Sequence, residues 1–235
     1  MDTRRRPTSP TRSSAASAPR SKSGAHSQIS IDRPITYLAL GDSYTIGTGA
    51  SHESRNFPSL LAAKVEAATG RTVRLMNPAV NGFTTIDVLA REVGFIKELE
   101  PDLVSILIGV NDLVRGRSPD AYRESLNRIY DAIATLDLPP GSVIAVSIPD
   151  WSVVPAARDY DDPARIHALT ETFNATARER AAAHGFTWID ITDVSRRGLG
   201  TFDWVSADDL HPGDLQYAAW ADEIWNRVRD VWGAA

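Results

Sequence analysis

At 235 residues with 43% hydrophobic side chains, the chain is long enough for one domain that buries roughly 70% of its unfolded surface. It contains no cysteine, which excludes disulfide scaffolds, thiolate metal sites and a Cys nucleophile. Arg4, Arg5, Arg6, Arg12, Arg20 and Lys22 against Asp2 put +5 on the first 28 residues, so of the total −5 the remaining chain carries −10, a charge that repels nucleic acid and anionic membrane surfaces.

Residues 1–30 are rich in Arg, Ser and Pro and nearly free of large apolar side chains, so they cannot offset the entropy of ordering; they are expected to be a disordered basic tail ahead of one domain at 31–235. No stretch there resembles the apolar part of a secretory signal. The longest strongly apolar run, Leu103 to Val110, is far short of the ~20 residues that span a bilayer. The expectation is therefore a soluble, cytoplasmic protein without stable membrane association; the sequence sets no oligomeric state.

From Ile35 onward, five short runs rich in aliphatic and β-branched residues alternate with segments of helical period: Ile35–Leu40, Thr72–Met76, Leu103–Ile108, Val143–Ile148 and Thr187–Ile191. That alternation predicts an α/β fold with a parallel sheet, whose strands are buried on both faces. Pro58 and Gly70 bracket a helix, and Ser118-Pro119 opens another as cap and first residue. Tyr122, Leu126, Ile129, Tyr130, Ile133 and Leu136 share one helical face, as do Ala221, Ile224, Trp225, Val228 and Trp232 in the last helix. Between the fourth run and the next helix, Asp150 to Pro163 reads as an irregular loop at the carboxyl end of a strand. Open α/β sheets bind ligands there, so Trp151, Val153 and Val154 are candidate pocket walls.

Ser43 follows the first strand in Gly41-Asp42-Ser43-Tyr44, at a turn that could present its hydroxyl at the sheet edge with backbone N–H groups beside it. A serine hydroxyl needs an imidazole to take its proton and a carboxylate to orient that imidazole. His211, in Asp208-Asp209-Leu210-His211-Pro212, has Asp208 three residues before it, a spacing that lets the carboxylate reach Nδ1. His26 falls in the tail, His52 in a polar loop, His184 at a helix end, and His167 reads as a surface helix residue. Gly82 and Asn111, just past the second and third strands, would emerge at the same edge as Ser43 and offer a close backbone N–H and a neutral amide, the donors an oxyanion requires. Position 45 is threonine, so there is no Gly-x-Ser-x-Gly elbow.

Gly41-Asp42-Ser43, Asn81-Gly82, Gly109-x-Asn111-Asp112 and Asp208-x-x-His211 together resemble the four blocks of the SGNH, or GDSL, hydrolase superfamily, in order and each after a predicted strand. The resemblance implies a three-layer α/β/α sandwich with a five-stranded parallel sheet in the flavodoxin-like order 2-1-3-4-5. It implies a serine hydrolase of carboxylic esters without cofactor or metal, the family's members being esterases, lipases, thioesterases or carbohydrate deacetylases, and since the sequence shows no apolar lid, short-chain acyl or acetyl esters are expected. Ser43 would be the nucleophile, His211 the base and Asp208 its orienter, and the Ser43 N–H, the Gly82 N–H and the Asn111 side chain would form the oxyanion hole, with Tyr44 in the pocket wall. Tyr44 stands where the family's name has leucine, and Ala79 where a glycine is often seen. Two other readings stay open. Asp42, Asn111, Asp112, Asp208 and His211 are groups that a metal-dependent phosphoesterase could gather, and the same fold could serve as a non-catalytic glycan- or lipid-binding module.

Overall fold

The computed structural model describes residues 33–235, so the basic tail at 1–30 lies outside the described residues. The five apolar runs form β1 (Ile35–Gly41), β2 (Val73–Met76), β3 (Leu103–Leu107), β4 (Val143–Val146) and β5 (Thr187–Ile189). They make one parallel sheet in the order β2-β1-β3-β4-β5. The central strands β1, β3 and β4 are buried throughout, whereas the edge strands β2 and β5 are only partly covered, and Arg74 of β2 is exposed.

Helices α1 (Ser43–Ile46), α2 (Phe57–Thr69), α3 (Thr85–Arg91), α4 (Gly94–Leu99), α5 (Val110–Val114), α6 (Pro119–Ala134), α7 (Pro163–Ala183), α8 (Thr192–Arg196) and α9 (Asp214–Trp232) complete the described chain. In one layer α2 and α8 pack on α9; in the other α3 and α7 pack on α6, giving the α/β/α sandwich. Local chemistry sets the helix starts. Asn56 accepts from Ser59 N with Pro58 in the first turn, Ser118 accepts from Ala121 N ahead of Pro119, and Asp162 accepts from Ala164 N and Arg165 N ahead of Pro163. Among the described residues no helix is long and apolar enough to cross a membrane.

The sheet ladder stops earlier than the apolar runs do. β4 ends at Val146 although Ser147 and Ile148 are buried, because Asn174 of α7 takes over the pairing: its Oδ1 accepts from Ile148 N at 2.8 Å and its Nδ2 donates to Ile148 O at 2.9 Å. Beyond β5, Ile191 N likewise donates to Ser147 Oγ at 2.9 Å. Apolar composition reports burial, and burial continues past the last strand partner. The loop after β4 is also more ordered than an irregular segment, with 3₁₀ turns at Trp151–Val153 and Pro155–Asp159.

Asn174→Ala removes both partners of the Ile148 peptide and leaves a buried donor and acceptor unsatisfied, each costing ~1–3 kcal/mol. The expected loss in unfolding free energy, read from urea denaturation, is about 2–4 kcal/mol. A change below about 0.5 kcal/mol would mean that water replaces the amide.

Candidate active site

The site begins where β1 runs out. Gly41 still pairs with Leu107 of β3, and its φ of +154° together with the space around it admits only glycine: a Cβ there would come within 2.3 Å of Leu107 O and of Thr45 Oγ1. The buried Asp42 then turns the chain, its carboxylate accepting from Tyr44 N at 3.1 Å and its carbonyl accepting from Thr45 N and Ile46 N. Ser43 thereby becomes the first residue of α1. Tyr44 is turned edge-on to the His211 ring, 6.1 Å between centroids, and to Trp220 at 5.8 Å.

Two further segments are drawn onto this turn. Asn77 Nδ2 donates to Thr45 O at 2.8 Å, which seats the loop after β2 against α1. In that loop Gly82 has φ +84°. A Cβ at Gly82 would meet nothing nearer than the Arg115 guanidinium at 3.8 Å, so glycine is required by backbone conformation and not by lack of space. Gly82 O accepts from Arg115 Nη2 at 2.7 Å. Asn111, at the head of α5 beyond β3, donates through Nδ2 to Phe83 O at 3.0 Å and, at 3.5 Å, to Asp42 Oδ2. One amide therefore links the segments that follow β1, β2 and β3.

His211 sits on a separate tight loop closed by the antiparallel bridge between Val205 and Pro212. Ser206 N donates to His211 O at 2.8 Å. Asp208 Oδ1 accepts from Ser206 Oγ at 2.7 Å, His211 N at 2.8 Å and Leu210 N at 3.0 Å, while Oδ2 lies 2.6 Å from His211 Nδ1. Partial burial by itself would raise the Asp208 carboxyl, but these hydrogen bonds outweigh it and hold the group well below the usual carboxylate range. An ionised Asp208 can only accept, so Nδ1 of His211 carries the proton in this contact and Nε2 is left as the basic nitrogen.

Ser43, Asn111 and His211 line one hollow of about 100 Å³. Its walls include the expected Tyr44 and Trp151, together with Tyr160, Val110, Val114 and Leu210. No direct hydrogen bond joins Ser43 Oγ to His211 in the hollow that they share. Asn81 lines the hollow, whereas its chain neighbour Gly82, expected to offer a donor there, is not among the residues that wall it. The two valines of the reading at 151–154 fall elsewhere, because successive residues of a 3₁₀ turn point in different directions. Val153 lines an open hollow with Leu199 and Phe202, and Val154 a small one beneath Trp151. Tyr160 was within reach of sequence reasoning as the second aromatic of the Asp150–Pro163 segment, whereas Val110 and Val114 carry no signal beyond helical spacing.

His167 is a partly exposed residue of α7, as the sequence suggests, and its Nδ1 also stands 3.2 Å from Asp150 Oδ2. Arg196 Nη1 is 3.1 Å from the same oxygen, and Ser152 N and Oγ both donate to Asp150 Oδ1, at 3.2 and 2.6 Å. These contacts fix the base of the loop that carries Trp151. The groups that a metal reading would gather are engaged with separate partners: Asp112 with Thr85 and Arg117, Asp42 with Tyr44 and Asn111, Asp208 with His211. Among the described residues, no three His, Asp or Glu side chains stand together as a metal-binding group.

Residues 39–219 match the GDSL-like Lipase/Acylhydrolase family. The chain is 30% identical over 207 residues to a lipase of Streptomyces rimosus, covering 72% of this chain and 75% of the lipase. To the esterase TesA of Pseudomonas aeruginosa it is 33% identical over 197 residues, 83% of this chain and 89% of TesA. The crystal structure of the lipase/acylhydrolase from Enterococcus faecalis superposes with a TM-score of 0.65 at 27% identity, over 85% of this chain and 96% of that one.

Beneath Ser43 lies a group of buried carboxyls. Asp42 is pushed up to about 8, first by burial and then by Asp112, against the hydrogen bond from Tyr44 N. Asp112 is raised by burial despite Thr85 and Arg117, and Glu92 is pushed up to about 8 by burial. Between pH ~4, where an unfolded carboxyl releases its proton, and pH ~8 the folded chain keeps protons that the unfolded chain has lost, so stability falls as pH rises through that window. The melting temperature at pH 5 is expected to exceed that at pH 8, with Asp208, depressed and already ionised at both values, contributing no slope. A melting temperature that rises between the two would contradict the buried, protonated state of these acids.

Proposed function

The chain belongs to the GDSL-like lipase/acylhydrolase family and is a carboxylic ester hydrolase acting on small-molecule esters, and from that premise we propose that Ser43, His211 and Asp208 are its catalytic triad, working through an acyl-enzyme. His211 Nε2 takes the proton of Ser43 Oγ as the oxygen attacks the ester carbonyl carbon. The resulting imidazolium returns that proton to the leaving alcohol, and water repeats the sequence on the acyl-serine. Asp208 holds the tautomer and stabilises the imidazolium. The observation that carries the reading is the 2.6 Å contact of Asp208 Oδ2 with His211 Nδ1, on a ring lining the same hollow as Ser43.

The tetrahedral oxyanion would be held by the N–H groups of Ser43 and Gly82 and by the amide of Asn111. Phe83 O takes one Asn111 hydrogen at 3.0 Å, which sets the orientation of the amide. The other is engaged only by the 3.5 Å contact to Asp42, so turning it to an oxyanion costs little.

The hollow also favours a short acyl group. At about 100 Å³ it is smaller than the ~300–1,000 Å³ of pockets that enclose drug-sized ligands, and it accommodates acetyl to butyryl while the alcohol faces solvent. The net charge of −10 outside the tail suits a neutral ester better than nucleic acid or an anionic membrane surface.

On p-nitrophenyl acetate, Ser43→Ala or His211→Ala is expected to lower kcat on the order of 10⁶-fold, and Asn111→Ala about 10²–10³-fold. A fluorophosphonate should label Ser43, and a chelator should leave the activity in place. Ser43→Ala retaining most of its activity would sink the triad. Across p-nitrophenyl esters, kcat/KM should fall at least about tenfold from butyrate to palmitate; a profile rising with chain length would remove the short-acyl reading alone.

A further inference from the structure

Glu92 is 0% exposed, yet no step above uses it. It closes α3, and its side chain reaches under the sheet edge, where Oε2 accepts from Gly41 N at 2.9 Å. Oε1 has no partner among the described residues. A carboxyl taken fully out of water is expensive and needs a reason.

The reason lies in strand register. Along β1, hydrogen-bonding direction alternates. Ile35 N donates to Thr72 O on the β2 side, whereas Thr36 O accepts from Asp102 N on the β3 side. Gly41, six residues after Ile35, therefore directs its N–H toward β2. That strand has already ended, its last pair being Leu38 with Met76. The Glu92 carboxyl occupies the place that a longer β2 would have filled, and it satisfies a donor that would otherwise be buried and unpaired.

We propose that Glu92 is a positioning residue of the esterase: by accepting the last outward N–H of β1 it holds the Gly41-Asp42-Ser43 turn in the position that presents the nucleophile. This rests on the reading of Ser43 as nucleophile. Gly41 has no room for a side chain, since Leu107 O and Thr45 Oγ1 stand where its Cβ would go, and Ser43 follows two residues later. A displacement of this turn by ~1 Å moves the attacking oxygen directly, and shifts of that size can cost 10²-fold. Burial pushes Glu92 up to about 8 against the hydrogen bond from Gly41 N, and the nearby acids Asp42 and Asp87 add to the rise. At neutral pH it serves Gly41 as a neutral acceptor, a role that Gln reproduces and Leu does not.

The test compares Glu92→Leu and Glu92→Gln in the full chain, with Ser43→Ala alongside, on p-nitrophenyl acetate. Glu92→Leu, folded by circular dichroism, should lose about 10- to 100-fold in kcat with KM changed less than about twofold, and Glu92→Gln should restore kcat to within about threefold of the parent. A folded Leu variant with the parent kcat, or a Gln variant as impaired as Leu, overturns the proposal. If the Leu variant does not fold, the Gly41 amide resonance decides. Its shift between pH 6 and 9.5 should contain a component that vanishes in Glu92→Gln, and identical titration in both proteins overturns the role. Activity retained by Ser43→Ala would instead remove the nucleophile reading, leaving the Gly41 titration as the measure of Glu92.

Discussion

A parallel sheet leaves unpaired backbone groups wherever one strand outlasts its neighbour, and in this chain those groups are closed by side chains from the helices and loops around the carboxyl edge. Gly41 N–H is met by Glu92, the Ile148 peptide by Asn174, and Ile191 N–H by Ser147. Each closure satisfies a buried polar group whose loss would cost ~1–3 kcal/mol, and each fixes a loop just past a strand. The hollow at this edge lies between β1 and β3, where the chain order of the sheet reverses and the following segments diverge, leaving a crevice. Asn111 extends the same logic, because its amide holds the backbone after β2 to the carboxyl after β1.

The carboxyls around Ser43 divide by solvation. Asp208 is partly exposed and surrounded by donors, so it stays ionised and can support a cationic imidazole. Asp42 and Glu92 are fully buried with few donors and are pushed up to about 8. Were both ionised at neutral pH, two negative charges would sit under the turn at which the proposed reaction develops an oxyanion. Burial keeps them protonated, and the field there is left to the N–H donors. Asp112, also buried, is likewise raised by burial, although the Arg117 guanidinium lies 3.4 Å away.

The fold was legible because its signals are local. Apolar runs of strand length, Pro at the head of α2 and α6, and Gly70 behind α2 each act within a few residues, and the five strands appear where those runs predict them. Strand ends were not legible, since Ile108, Ile148 and Ile191 are as buried as strand residues while their peptides pair with the side chains of Tyr122, Asn174 and Ser147. At the site, the serine and histidine segments stood out as residue patterns, whereas wall membership depends on loop packing: Val153 and Val154 are neighbours in the chain, yet each lines a different hollow and neither lines the one at Ser43. The contact of His167 with Asp150 was not legible because the two lie 17 residues apart across a loop. Glu92 carried no signal at all, as a glutamate at a helix end ordinarily faces water.

Under the proposed function, the size of the acyl group would depend on how that loop is held. Trp151 meets Tyr160 edge-on, with centroids 5.5 Å apart and planes at 89°, and the two aromatics wall the hollow at Ser43. Beyond the loop lies an open hollow of about 650 Å³ walled by Val153, Leu199 and Phe202, large enough for a longer chain. The 3₁₀ turns between Trp151 and Asp159 contribute to both hollows, Trp151 to the one at Ser43 and Val153 and Pro155 to the other. Their root is the buried Asp150, engaged by Ser152, His167 and Arg196, the side chains of the last two being partly open to solvent. Under the proposed mechanism, selection against long acyl chains would depend on how Asp150 anchors these turns as much as on the aromatic surface, and a longer substrate would have to supply new contact to displace them.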